Sequence, residues 1–135
     1  MVAVAALALA CHANARTIQK VVILETGRNA YPREPGLTEA CKKFKPTARQ
    51  VKDFFNKAYP VPGRFGTHER YAPCYASGTM EFSDFGKVTW GLTSGGTATY
   101  KFDNGHGDTV QLYYRGYKWF DPTACEYGDG EVEVC

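Results

Sequence analysis

The apolar positions of this chain repeat with two periods, and the change falls near Cys74. Ahead of it, "TIQKVVILE" at residues 17–25 is a β-branched run and predicts a first strand. Residues 26–44 hold Gly27, Pro32, Pro35 and Gly36 and read as loop. A helical pattern follows. Thr47 and Gln50 have the spacing of a capping box, and Val51, Phe54, Phe55 and Ala58 form one apolar stripe at i, i+3, i+4 and i+7. Arg49, Lys52, Asp53, Asn56 and Lys57 cover the other side, and "YPVPG" at 59–63 stops the helix because proline cannot continue it.

From Cys74 the period is two. Ala76, Met80 and Phe82 alternate with Ser77, Thr79 and Glu81, and Val88, Trp90 and Leu92 with Lys87, Thr89 and Thr93. Ala98, Tyr100 and Phe102 alternate with Thr97, Thr99 and Lys101, and Val110, Leu112 and Tyr114 with Thr109, Gln111 and Tyr113. "SDFG", "SGG" and "DNGHGD" between the runs are turn chemistry. The pattern predicts an α+β domain. An antiparallel meander of four to five strands has a threonine-rich face and an apolar face, one amphipathic helix covers the apolar face, and the first strand adds to an edge.

Composition changes the picture at the N-terminus. Val2–Ala10 are all Val, Ala or Leu, too short a run for the about 20 residues of a membrane helix but suited to the core of a secretory signal. Ala13-Asn14-Ala15 supplies the small residues of a cleavage site, so residues 1–15 read as a cleavable signal peptide and 16–135 as one domain. The expected location is periplasmic or secreted after cleavage before Arg16, with lipid attachment through Cys11 as the alternative. Removing Cys11 turns an odd cysteine count of 5 into an even set, Cys41, Cys74, Cys125 and Cys135. An even set in a small exported chain reads as two disulfides. The favoured pairing is Cys41–Cys74 with Cys125–Cys135, and the other two connectivities stay open. A net charge of +2 gives no argument for nucleic acid or an anionic membrane.

The candidate chemistry is sparse. Asp103, Asn104, His106 and Asp108 lack the spacing of a calcium loop and read as a hairpin turn. His68 beside Glu69 could serve acid–base work, but the stretch reads as a solvated loop. Ser94 in "TSGGT" reads as a turn residue rather than a nucleophile. No catalytic set, metal site or cofactor is implied. "YYRGYKWF" at 113–120 is aromatic and basic, as protein interfaces are. There Tyr113, Arg115 and Tyr117 have the parity opposite to Tyr114 and are expected on the exposed side. "RFGTHERYAPCY" at 64–75 supplies a second candidate patch, with Arg64, His68, Arg70 and Tyr71.

The runs "SGTMEFSDFGKVTWGLTSGGTATYKFDNG" and "LYYRGYKWFDP" resemble small exported bacterial proteins of immunity or inhibitor type, which bind and block enzymes that attack the cell wall. The resemblance covers roughly residues 74–122 and lies in the hairpin pattern. At Ser77-Gly78-Thr79-Met80-Glu81 the chain lacks the basic residue and tyrosine that mark periplasmic lysozyme inhibitors of the small-barrel kind. Export, a small rigid scaffold, exposed-parity aromatics and the lack of a catalytic constellation lead to the expectation of a non-catalytic binding module whose partner is another protein, which the resemblance would make an inhibitor or immunity protein. The alternatives are a small envelope hydrolase using His68 or His106, and a structural or stress-related envelope protein.

Overall fold

The computed structural model describes residues 17–84, 86–103 and 106–124. The signal-peptide reading, Cys11, Asn104, and the Cys125–Cys135 pair therefore lie outside the described residues. Among those described, the chain runs β1 (Ile18–Asn29), α1 (Pro35–Cys41), α2 (Ala48–Lys57), β2 (Tyr59–Pro60), β3 (Cys74–Phe82), β4 (Gly86–Thr93), β5 (Thr97–Phe102) and β6 (Thr109–Tyr113). Their strands form one six-stranded sheet in the order β1-β3-β4-β5-β6-β2, with every pair antiparallel. The α+β architecture, the meander of β3 to β6 and the edge position of β1 agree with the sequence pattern.

The strand count and the helix count differ from expectation, and each difference has a local cause. Tyr59–Pro60 is not only a helix stop: it pairs with Leu112 and Tyr113 as an edge strand. An edge tolerates proline because one side of the strand needs no N–H donor. Residues 26–44 are not all loop either. β1 runs on to Asn29 through register shifts, with Gly27 at φ +64°, a conformation suited to glycine. α1 opens on Pro35, where the missing N–H costs nothing, but it has no side-chain cap and buries only Cys41. So short a helix carries no periodic signal.

α2 forms as its sequence predicts. The Thr47 hydroxyl accepts from Gln50 N–H at 3.2 Å, and Gln50 Oε1 accepts from Thr47 N–H at 2.9 Å. Val51, Phe54 and Phe55 are buried against the apolar sheet face of Ala76, Met80, Val88, Trp90, Leu92 and Leu112. Each such side chain contributes roughly 1.5–3 kcal/mol when fully buried. Trp90 is the centre of that face. Its indole N–H donates to Thr79 O at 3.0 Å, and its ring lies over Gly78, where an added Cβ would come within 2.7 Å of Cζ2. Only glycine leaves that room.

Cys41–Cys74 is a disulfide with a sequence separation of 33, joining the end of α1 to the start of β3. By chain entropy a loop of this length contributes roughly 3–4 kcal/mol. Among the described residues no helix is long and apolar enough to cross a membrane.

Candidate functional site

The two sequence patches meet at Arg70. β6 ends at Tyr113, so the strand parity that put Tyr113, Arg115 and Tyr117 on one exposed side does not continue past it. Tyr113 does lie on the face away from α2, opposite Thr97, but it is buried, because residues 59–70 fold over that end of the sheet. Phe65 packs on it at 4.7 Å between ring centroids, Tyr59 at 5.9 Å, and the Arg70 guanidinium lies 5.6 Å over its ring. Arg70 is buried as well, with Nε donating to Gly95 O at 3.1 Å and a terminal nitrogen donating to the Tyr117 hydroxyl at 3.4 Å. Tyr113 and Arg70 are thus structural, a correction to their reading as surface contacts.

Tyr117 is half-buried. Its hydroxyl donates to Asp121 Oδ2 at 2.9 Å, and its ring stacks on Trp119 with centroids 5.0 Å apart. The other Asp121 oxygen accepts from the Thr123 backbone N–H at 2.9 Å and its hydroxyl at 3.0 Å. Burial, then the nearby Asp121 charge, pushes the Tyr117 phenol up to about 12. Gly96, at φ +84°, lets this turn close: a Cβ there would lie 2.5 Å from Tyr114 O and 2.7 Å from the Tyr117 ring.

The remaining candidates are exposed: Arg64 and His68 around the π-helical turn Phe65–Glu69, Tyr71 just after it, and Arg115 after β6. Tyr71 has a partner the sequence did not suggest. Tyr31 meets it edge-on at 5.6 Å, and the two line a cavity of about 280 Å³ with Glu34, Leu37 and Pro73. Both tyrosines are exposed, at 49% and 41%, so the pair presents aromatic area outward. The segment beneath is tied down. Asn29 accepts from Tyr31 N–H at 2.8 Å and donates to Tyr31 O at 2.7 Å and to Thr38 Oγ1 at 3.1 Å. Ala30 N–H reaches Pro73 O at 2.9 Å, and Cys41–Cys74 closes the same region.

A second concavity, of about 400 Å³, lies between α2 and the turn after β6. Phe54, Tyr114 and Tyr117 supply its aromatic wall, and Arg49, Lys52 and Lys118 its cations. The sequence pattern gave Arg49 and Lys52 only as a solvated helix face, and Tyr31 only as loop. No periodicity marks Tyr31. The Cys41–Cys74 pairing was the one signal able to bring its segment beside Tyr71.

His68 and Glu69 sit exposed in the π-helical turn, and Ser94 is fully buried. Phe102 N–H bonds to Asp108 O at 3.1 Å, which fits a hairpin between β5 and β6. Among the described residues no three His, Cys, Asp or Glu side chains converge on a metal position. The chain matches no protein-family model, no curated protein and no solved structure.

Proposed function

We propose that this protein is an exported binding module that engages another protein through the Tyr31–Tyr71 surface. In this reading it acts by steric blockade, as an inhibitor or immunity protein against a cell-wall-degrading enzyme, without turnover of its own. One observation carries the proposal: two exposed tyrosines in edge contact on a segment fixed by a disulfide and by the Asn29 hydrogen bonds. Tyrosine buries a large amphipathic area on association, and rigid presentation lowers the ordering cost of binding. Of the sequence candidates the surface keeps Tyr71, and the aromatic anchor moves from Tyr113 to Tyr31. The Cys41–Cys74 disulfide supports an oxidising compartment, in line with signal cleavage before Arg16 and release to the periplasm.

The test is capture from periplasmic extracts of the host and of competing bacteria, with the oxidised protein as bait. Tyr31→Ala/Tyr71→Ala serves as the matched control. The expected result is one stoichiometric wall-degrading enzyme, inhibited by the wild type and held at least about thirtyfold more weakly by the variant, the loss of one hot-spot contact or more. Equal capture by bait and variant, or an enzyme bound without inhibition, contradicts the proposal.

A further inference from the structure

Among the described residues, the cleft beside α2 holds more positive charge than its neighbours neutralise. Asp53 is its carboxylate, and Asp53 is already engaged: Lys57 Nζ donates to Oδ2 at 3.1 Å, an interaction that raises the Lys57 pKa. Lys57 also sits 5.9 Å over the Tyr114 ring. Among the described residues, Arg49, Lys52 and Lys118 meet no carboxylate. Arg49 and Lys52 are three apart on α2 and so project from one side of the helix, while Lys118 comes from the opposite wall. Phe54, Tyr114 and Tyr117 line the same cleft.

The walls are also preorganised. The capping box fixes the start of α2, and Phe54 anchors its underside against Trp119 at 5.4 Å. Stacking on Trp119 and the bond to Asp121 hold Tyr117. A ligand therefore meets a formed site in which neither wall has to be ordered.

We infer that this cleft receives an acidic segment of the protein partner. Its Glu or Asp carboxylates meet Arg49, Lys52 and Lys118, and a neighbouring aromatic or aliphatic side chain lies on Tyr114 and Tyr117. The inference rests on the protein-partner reading above and assigns to it a second, electrostatic contact. Charge complementarity carries it: converging cations without a counter-charge attract carboxylates and speed encounter at low salt.

The probe is the peptide Ac-Glu-Glu-Tyr-Glu-Glu-NH2, titrated by NMR into the full oxidised chain, beside its all-Gln analogue and inorganic phosphate. The expected result has three parts. The Glu peptide shifts the resonances of Arg49, Lys52, Tyr114, Tyr117 and Lys118, and 0.5 M salt weakens it. The Gln analogue leaves these resonances unmoved. Lys52→Glu/Lys118→Glu, both exposed and so compatible with folding, binds the peptide at least tenfold more weakly at unchanged Tm. Equal binding of the Gln analogue, shifts elsewhere, or phosphate binding as tightly as the peptide overturns the inference.

A chain carrying Glu126→Gln, Asp129→Asn, Glu131→Gln and Glu133→Gln is titrated in parallel. Peptide binding seen only in that variant assigns the cleft to the chain's own acidic stretch and overturns the partner assignment. A captured enzyme held equally by Lys52→Glu/Lys118→Glu overturns the cleft inference while leaving the Tyr31–Tyr71 reading intact.

Discussion

Thr89 and Trp90 are neighbours on β4 and face opposite sides of one sheet. Trp90 is buried under α2, in edge-tilted contact with Phe55 at 6.0 Å, whereas Thr89 is exposed. The two faces differ in what covers them. On the α2 side, large apolar side chains meet an amphipathic helix, and burial follows strand parity. On the other side nothing in the strand pattern demands a cover, yet residues 59–70 bury one end of it around Tyr113 and Thr97. Parity assigns a residue to a face; burial depends on what the chain later lays on that face.

Substitutions can break this contrast, and the largest effect is expected at its centre. Trp90→Ala should destabilise the protein by roughly 3–5 kcal/mol, since it empties the middle of the dry face. Thr89→Ala, one residue away, should change stability by no more than about 0.5 kcal/mol. Urea unfolding of the two variants measures the difference, and comparable losses would mean that both faces are packed.

The covered end of the other face is expected to depend on Arg70. Arg70→Met keeps the aliphatic stem but leaves Gly95 O and the Tyr117 hydroxyl without the guanidinium donors. A loss of roughly 1–3 kcal/mol in the same experiment is expected, and no loss would mean that the loop is held by its aromatic contacts alone.

The same node predicts a pH dependence. Tyr117 is raised from 10.0 to about 12 in the native state, which favours the neutral phenol there. A raised pKa contributes stability that is complete below the unfolded value of 10.0 and is lost as pH climbs through the folded value. Stability should therefore fall between about pH 10 and 12, and Tyr117→Phe should flatten that part of the curve relative to the wild type. Parallel curves for the two proteins would show that Tyr117 does not drive the loss.

The smallest effect among the buried positions is expected at Ser94, whose hydroxyl has no hydrogen-bond partner among the described residues. Ser94→Ala should raise stability by about 1 kcal/mol, because it removes an unsatisfied polar group from the interior. Destabilisation on thermal unfolding would instead reveal that the hydroxyl is bonded.

The candidate surfaces were legible in the sequence only in part. Tyr71, Arg64 and His68 stand exposed where a long, irregular stretch suggested contact residues. Arg70 sits in the same stretch, and its charge gave no sign that a carbonyl and two tyrosines would enclose it. Tyr31 and Tyr71 lie far apart in the chain, so no local rule couples them. Arg49, Lys52 and Lys118 make a cleft only because α2 docks beside the turn after β6.

What the sequence by itself determined is what short-range physics controls. The capping box at Thr47 and Gln50, the stripe of Val51, Phe54 and Phe55 and the two-residue alternation of β3 to β6 are local, and each forms as its pattern requires. The favoured Cys41–Cys74 pairing was also legible, from where the two cysteines fall in the pattern. Only the tertiary structure decided the helix at Pro35–Cys41, the edge strand at Tyr59–Pro60, the burial of Tyr113 and Arg70, and the meeting of Tyr31 with Tyr71. Those features are stabilised by contacts between residues distant in sequence, and such contacts leave no period in the chain.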